Sequence, residues 1–236
     1  MTFLSDCSLP VGANVARRGN ALSRALGRLW LKLMGFRLEG AFPDLPKMVL
    51  LGGPHTSNMD GVVAIAILTA LGLRSGTMIK DTAFKGIMGP VLRWFGAIPI
   101  DRKKAGGVVG QSVAAFNRAD RLLLLIAPEG TRTSASEWKR GFWLIAANAG
   151  AAILPAAIDY RKKVVTFGAP LTPSDDFDSD FARLMDFYGA HSWPRHPELA
   201  SAPICAALGL PFHGRAGQAS DSRAEAAGAA SSSEEA

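Results

Sequence analysis

Short apolar runs alternate with stretches of helical period along most of the chain. Residues 48–51 read as a buried strand ended by Gly52-Gly53-Pro54, and residues 59–71 as a helix with Ser57 or Asn58 as its N-cap. Residues 77–79, Ala97–Ile100 and the wholly apolar Leu122–Ile126 read as strands, with a helix over Gly107–Arg118 between the last two. Residues 84–95 fit a helix interrupted by Gly86, Gly89 and Pro90. A helix over 138–149 stops at Gly150, strands follow over 153–158 and Val164–Phe167, and a last helix covers 177–188. This alternation predicts one α/β domain with a mixed, largely buried sheet flanked by helices. No internal repeat is visible.

Residues 15–34 carry a different pattern. At about 100° per residue, Arg17, Arg24, Arg28 and Lys32 gather on one side of a helix, while Val15, Leu22, Leu26, Leu29, Trp30 and Leu33 gather on the other. Arg18 and Leu31 break the pattern. Such a basic amphipathic helix can lie in an anionic lipid interface, or dock as a surface helix on the domain core, or do both. The longest uncharged apolar stretch, 61–73, spans about 20 Å as a helix, short of a hydrocarbon core of about 30 Å, so a buried helix is expected there. The start of the chain has Asp6 and no basic run before an apolar one, unlike a secretory signal. The expected organisation is an N-terminal segment (1–40), a main α/β domain (41–212) and a disordered Ala/Ser/Gly-rich tail (213–236).

Composition sharpens this picture. The chain has 236 residues, a net charge of +6 and 48% hydrophobic residues, which excludes a mostly disordered protein. From Gly214 onward two basic residues face four acidic ones, so the remainder of the chain carries +8. Such a body suits an anionic partner, a membrane surface or nucleic acid. No basic stripe is interleaved with aromatics, so nucleic acid is not expected. Cys7 and Cys205 supply no disulfide framework and no metal-ligand spacing, which points to a reducing, cytoplasmic setting. His191 and His196 flank Trp193 and Pro194 without a third ligand, a poor metal site.

Four segments could carry chemistry. In Pro54-His55-Thr56-Ser57-Asn58-Met59-Asp60, at a strand-to-helix turn, Asp60 can reach back to His55. A carboxylate on one ring nitrogen fixes the tautomer and leaves the other as a base. Gly96-Ala97-Ile98-Pro99-Ile100-Asp101-Arg102 places cations at a strand's C-terminal end, where α/β proteins bind ligands. Pro128-Glu129-Gly130-Thr131-Arg132 combines a close-approach glycine, a hydroxyl and an arginine able to grip phosphate. Ile153-Leu154-Pro155-Ala156-Ala157 is apolar and suits packing or an apolar slot.

In this order and spacing, the four segments resemble the glycerolipid acyltransferase family, which includes 1-acyl-glycerol-3-phosphate acyltransferases. The match lies at His55, Ser57 and Asp60, at Gly96 and Ile98 to Arg102, at Pro128 to Arg132, and at Pro155, with Lys80 and Lys139-Arg140-Gly141 at positions where relatives carry similar residues. Pro54, Ala127 and Thr133 depart from the usual Asn, Phe and Ser. The resemblance covers about 45–167. It implies a glycerol-3-phosphate-acyltransferase-like fold and transfer of a fatty acyl group from acyl-CoA or acyl carrier protein to a lysophospholipid hydroxyl, 1-acyl-glycerol-3-phosphate foremost. The alternative acceptors are glycerol-3-phosphate or another lysolipid such as a lyso-aminolipid. It implies His55 as general base, Asp60 as its orienting partner, and Arg132 with Glu129, Gly130 and Thr131 on the acceptor phosphate. Arg102 and Lys80 would add positive charge. No cofactor or metal is implied beyond the thioester co-substrate, and the setting would be peripheral, on the inner face of the cytoplasmic membrane. Two other classes fit parts of the sequence: a serine hydrolase using Ser57, and a non-catalytic lipid-binding protein. Ser57 is not in a G-x-S-x-G elbow, and the second class leaves the His-Asp and Glu-Gly-Thr-Arg segments unexplained.

Overall fold

The computed structural model describes residues 7–80, 96–100 and 107–214, with the backbone alone for Ile79 and Lys80. Seven strands form one sheet: β1 (Arg37–Gly40), β2 (Lys47–Gly53), β3 (Ser75–Lys80), β4 (Ala97–Ile100), β5 (Leu122–Ile126), β6 (Ala152–Asp159) and β7 (Val164–Phe167), in the order β1-β7-β6-β2-β5-β3-β4. All neighbours are parallel except the β6–β7 hairpin. The helices are α1 (Ala21–Leu33), α2 (Asn58–Leu71), α3 (Gly107–Arg118), α4 (Gly141–Ala149), α5 (Phe177–His191) and α6 (Ala202–Leu208).

The central strands β2, β5 and β6 are buried on both faces, which is why they read as nearly continuous apolar runs. Along β2, Met48 and Leu50 pack with Val63, Ala66, Ile67 and Ala70 of α2, while Val49 and Leu51 pack with Phe116, Phe142, Ile145 and Leu184 on the other face. α1 lies on α2. Gly27 makes this possible: a Cβ there would meet the Ala70 backbone nitrogen at 2.4 Å. Arg24 lies against Gly72 and Gly27 against Ala70, so the two helices run antiparallel. Cys7, Val15, Leu31, Phe36 and Leu38 belong to the same core as α2.

Most predicted elements are present, with instructive differences. The first helix begins at Ala21, not at residue 15, because Arg17 pairs with Leu73 in an extended bridge and Gly19 turns the chain at φ +79°. Asn20 then caps α1 by accepting from the Ser23 N–H at 2.9 Å. The fourth helix begins at Gly141 because the Lys139 N–H donates to the Pro128 carbonyl, holding Trp138 and Lys139 in the preceding loop. Strand β1 and helix α6 were not predicted: β1 buries only Leu38, and α6 has seven residues. The helix expected over 84–95 lies outside the described residues, as does the tail from 215 onward.

Candidate active site

The adjacent central strands β6, β2 and β5 end together at one edge of the sheet. In a parallel sheet this C-terminal edge is where loops converge on ligands. The loop after β2 holds His55 and turns into α2 at the N-cap Ser57. Asp60, the third residue of α2, folds back over that first turn. Its Oδ2 accepts from the Thr56 and Ser57 N–H groups, both at 2.7 Å, and its Oδ1 accepts from the Ser57 hydroxyl at 2.8 Å. A carboxylate at this position satisfies helix-end donors that have no intrahelical acceptor and meets the positive end of the helix dipole.

The same carboxylate receives Nδ1–H of His55 at 3.2 Å. With that proton on Nδ1, Nε2 is free to accept one. The His55 side chain is 27% exposed and that of Asp60 9%, so the ring reaches solvent while its partner is shielded. Burial pushes the Asp60 carboxyl up, but hydrogen bonds from His55, Tyr160 and Ser57 outweigh it and hold the group below the usual carboxylate range. Ser57 spends its hydroxyl on Asp60, which leaves the serine-nucleophile reading without support.

The Pro128–Arg132 segment meets His55 through Glu129. Glu129 Oε1 accepts the His55 N–H at 3.1 Å. The residue is buried, and its Oε2 has no hydrogen-bond partner among the described residues. Burial pushes the carboxyl up to about 7. Glu129 thus faces the backbone under the histidine and is closed off from solvent. Gly130, at φ +64°, makes the turn, and its N–H donates to the Ala127 carbonyl at 3.1 Å. The Thr131 hydroxyl lies 2.9 Å from that of Thr133. Arg132 is exposed and forms no ion pair among the described residues. Lys139 lies over Gly130, where a Cβ would meet its Nζ at 3.6 Å.

A cavity of about 270 Å³ starts at His55 and Asp60 and runs between the sheet and α2, past Ala64, Ile67, Leu125, Val165 and Phe167. Its lining is almost wholly apolar. Pro155 pairs with Leu51 within the sheet, so the fourth segment supports the floor of this edge. Lys80 ends β3, paired with Ile100, with its side chain outside the described residues; Arg102 lies outside them as well.

Two contacts were not anticipated. Tyr160, just past β6, donates its hydroxyl to Asp60 Oδ1 at 2.5 Å. The His196 N–H donates to the Thr56 hydroxyl at 3.3 Å, so the stretch after α5 borders the site. A lone tyrosine at the end of the apolar strand was the available signal for the first. Nothing in the sequence marked the second.

Among the described residues, no helix is long and apolar enough to cross a membrane. No curated protein matches the sequence. The fold is similar to the crystal structure of the 1-acyl-sn-glycerophosphate (LPA) acyltransferase PlsC from Thermotoga maritima, with a TM-score of 0.50 and 12% identity, over 72% of this chain and 76% of that one. The family model described as Acyltransferase matches residues 42–159, which contain the His55–Asp60 turn, the Pro128–Arg132 loop and Pro155. With half of its length matched, this chain belongs to the acyltransferase family.

Proposed function

We propose that this acyltransferase moves a fatty acyl group from a thioester, acyl-CoA or acyl carrier protein, to the hydroxyl of a lysophospholipid, with 1-acyl-glycerol-3-phosphate as the leading acceptor and phosphatidic acid as product. One observation carries the reading: a His–carboxylate pair lines an otherwise apolar cavity, so a base and a slot for a hydrocarbon chain share one space. A thioester is already activated, so the enzyme needs chiefly a base and orientation.

In this reading His55 Nε2 takes the proton of the acceptor hydroxyl as its oxygen attacks the thioester carbonyl. The C–S bond breaks as the tetrahedral adduct collapses, and the imidazolium returns the proton to the leaving thiolate. Asp60 holds the ring and stabilises its charged form. Arg132, exposed and unpaired among the described residues, grips the acceptor phosphate, with Lys139 over the neighbouring turn, and Lys80 and Arg102 adding charge. Gly130 and Thr131 shape that turn. Glu129 serves the histidine backbone, since its buried carboxyl faces His55 and not the solvent.

Helix α1 supports a membrane-surface setting. Leu22, Leu26, Leu29, Trp30 and Leu33 are all exposed, Leu33 to 78%, whereas Arg24, Arg28 and Lys32 are half-buried. The helix docks on α2 by Gly27 and Leu31 and turns its apolar stripe outward. A stripe of this kind, on a body of charge +8, suits an anionic bilayer surface at the inner face of the cytoplasmic membrane.

The test is an assay of the purified protein on vesicles, with a panel of lysolipids and glycerol-3-phosphate, each offered both thioester donors. Mass spectrometry should find phosphatidic acid from lysophosphatidic acid as the dominant product. Free fatty acid as the sole product, with no acylated lipid from any acceptor, would overturn the proposal.

A further inference from the structure

Asp60 accepts five hydrogen bonds. Four come from its own turn: His55 Nδ1, the Thr56 and Ser57 N–H groups, and the Ser57 hydroxyl. The fifth comes from Tyr160, 100 residues away in the chain. It is the only one of the five that ties the carboxylate to the sheet rather than to its own loop.

Tyr160 is itself firmly placed. Its N–H donates to the Trp193 carbonyl at 3.0 Å, and its ring packs edge-on against buried Phe36 at 5.5 Å between centroids. The preceding Asp159 is buried and turns the chain by accepting from the Arg161 and Lys162 N–H groups. The phenol is therefore aimed by the end of β6 and by the stretch after α5. Burial and the neighbouring Asp60 push its ionisation well up, so it stays a donor throughout the working pH range.

We infer that Tyr160 is a positioning residue of the active site, which fixes the Asp60 carboxylate and through it sets the orientation of the His55 ring. The inference rests on the general-base reading of His55. A strong O–H donor drains charge from the carboxylate. Without it, the Asp60 carboxyl loses its tether to the sheet and one of the hydrogen bonds that hold its ionisation down, and faces the His55 ring as a more basic partner. Other groups face this cluster. Glu129 lies beneath His55, Lys163 sits 5.5 Å from the Tyr160 ring, Arg195 lies close enough to influence the phenol, and His196 binds Thr56 through its N–H. None of them is altered by removing a single hydroxyl, which makes Tyr160→Phe a clean perturbation.

The experiment is Tyr160→Phe in the full chain, assayed on vesicles across pH, beside His55→Ala, Asp60→Asn and the double variant Asp60→Asn/Tyr160→Phe. The ring and its contact with Phe36 are kept, and melting temperatures check the fold. We expect kcat to fall about tenfold or more, with KM for either substrate changed less than about twofold. The acid limb of kcat/KM should move to higher pH. In the Asp60→Asn background the tyrosine substitution should have little further effect. A Tyr160→Phe enzyme with unchanged kcat and unchanged acid limb, while His55→Ala is inactive, overturns this inference and leaves the catalytic reading standing. So does a loss of rate that tracks lost melting temperature with no movement of the limb. Near-normal turnover in His55→Ala overturns the catalytic reading itself.

Discussion

Glu129→Gln tests the buried acid beneath His55. The wild-type carboxyl is pushed by burial from its ordinary 4.5 up to about 7. Below both values the group is protonated in the folded and the unfolded chain, and contributes nothing to the pH dependence. Between them the unfolded chain has released its proton while the folded one still holds it, so stability falls as pH rises, and the loss is complete above about 7. The gap corresponds to about 3 kcal/mol. Glutamine has nearly the shape of the protonated acid and keeps an oxygen for the His55 N–H, but it cannot ionise. At pH 5 the two proteins should melt within about 2 °C of each other. At pH 8 the variant should melt higher by about 6–12 °C, since each kcal/mol moves a chain of this size by about 2–4 °C. Calorimetry of both proteins in matched buffers provides the measurement, and taking the difference cancels every other titrating group that the substitution leaves alone. A gap between the two proteins that is the same at pH 5 and pH 8 would refute the reasoning, because it would mean that Glu129 does not change its proton count on folding.

Other substitutions address the remaining parts of the site. His55→Ala should abolish transfer while the protein stays folded, read by product formation and circular dichroism together. Arg132→Ala should raise KM for a phosphate-bearing acceptor about tenfold or more, the worth of a charge-assisted contact, with a smaller effect on kcat. Ala64→Phe fills the cavity one helical turn beyond Asp60, and mass spectrometry of the products should show shorter acyl chains, each excluded methylene costing about 0.8 kcal/mol. Replacing exposed Leu26 and Leu29 by serine should lower sedimentation with anionic vesicles at least tenfold, given about 1.5–3 kcal/mol for each fully buried leucine, while the melting temperature holds.

How much of this was legible in the sequence depends on what each residue answers to. β5 has the bounds its apolar run predicts, because a run of five apolar residues has no polar position to blur its ends, and β7 keeps its predicted bounds with a buried Thr166 inside it. The His55–Asp60 contact was legible because both ends lie close together in the chain at one strand-to-helix turn. The meeting of Glu129 with the His55 N–H was not. It depends on β2 and β5 being neighbours in register, which no local pattern encodes. Tyr160 was hidden for the same reason, since strand order alone brings the end of β6 beside α2. The direction of the amphipathic helix was also open. The pattern showed two faces, and the close approach at Gly27 decided which one turned inward.

The antiparallel seating of α1 on α2 bears on how substrate arrives. The His55–Asp60 turn stands at the N-terminal end of α2, and α1 runs toward that end, finishing in Trp30 and Leu33. With this stripe in a lipid surface, the mouth of the cavity is held near the plane where lysolipids already diffuse. On the proposed function, a lysolipid acceptor would then reach His55 by lateral motion in two dimensions and need not leave the leaflet. Its encounter rate would depend on the mole fraction of lysolipid in the membrane, not on its bulk concentration, and dilution of the acceptor with inert lipid would slow the enzyme even at constant total substrate.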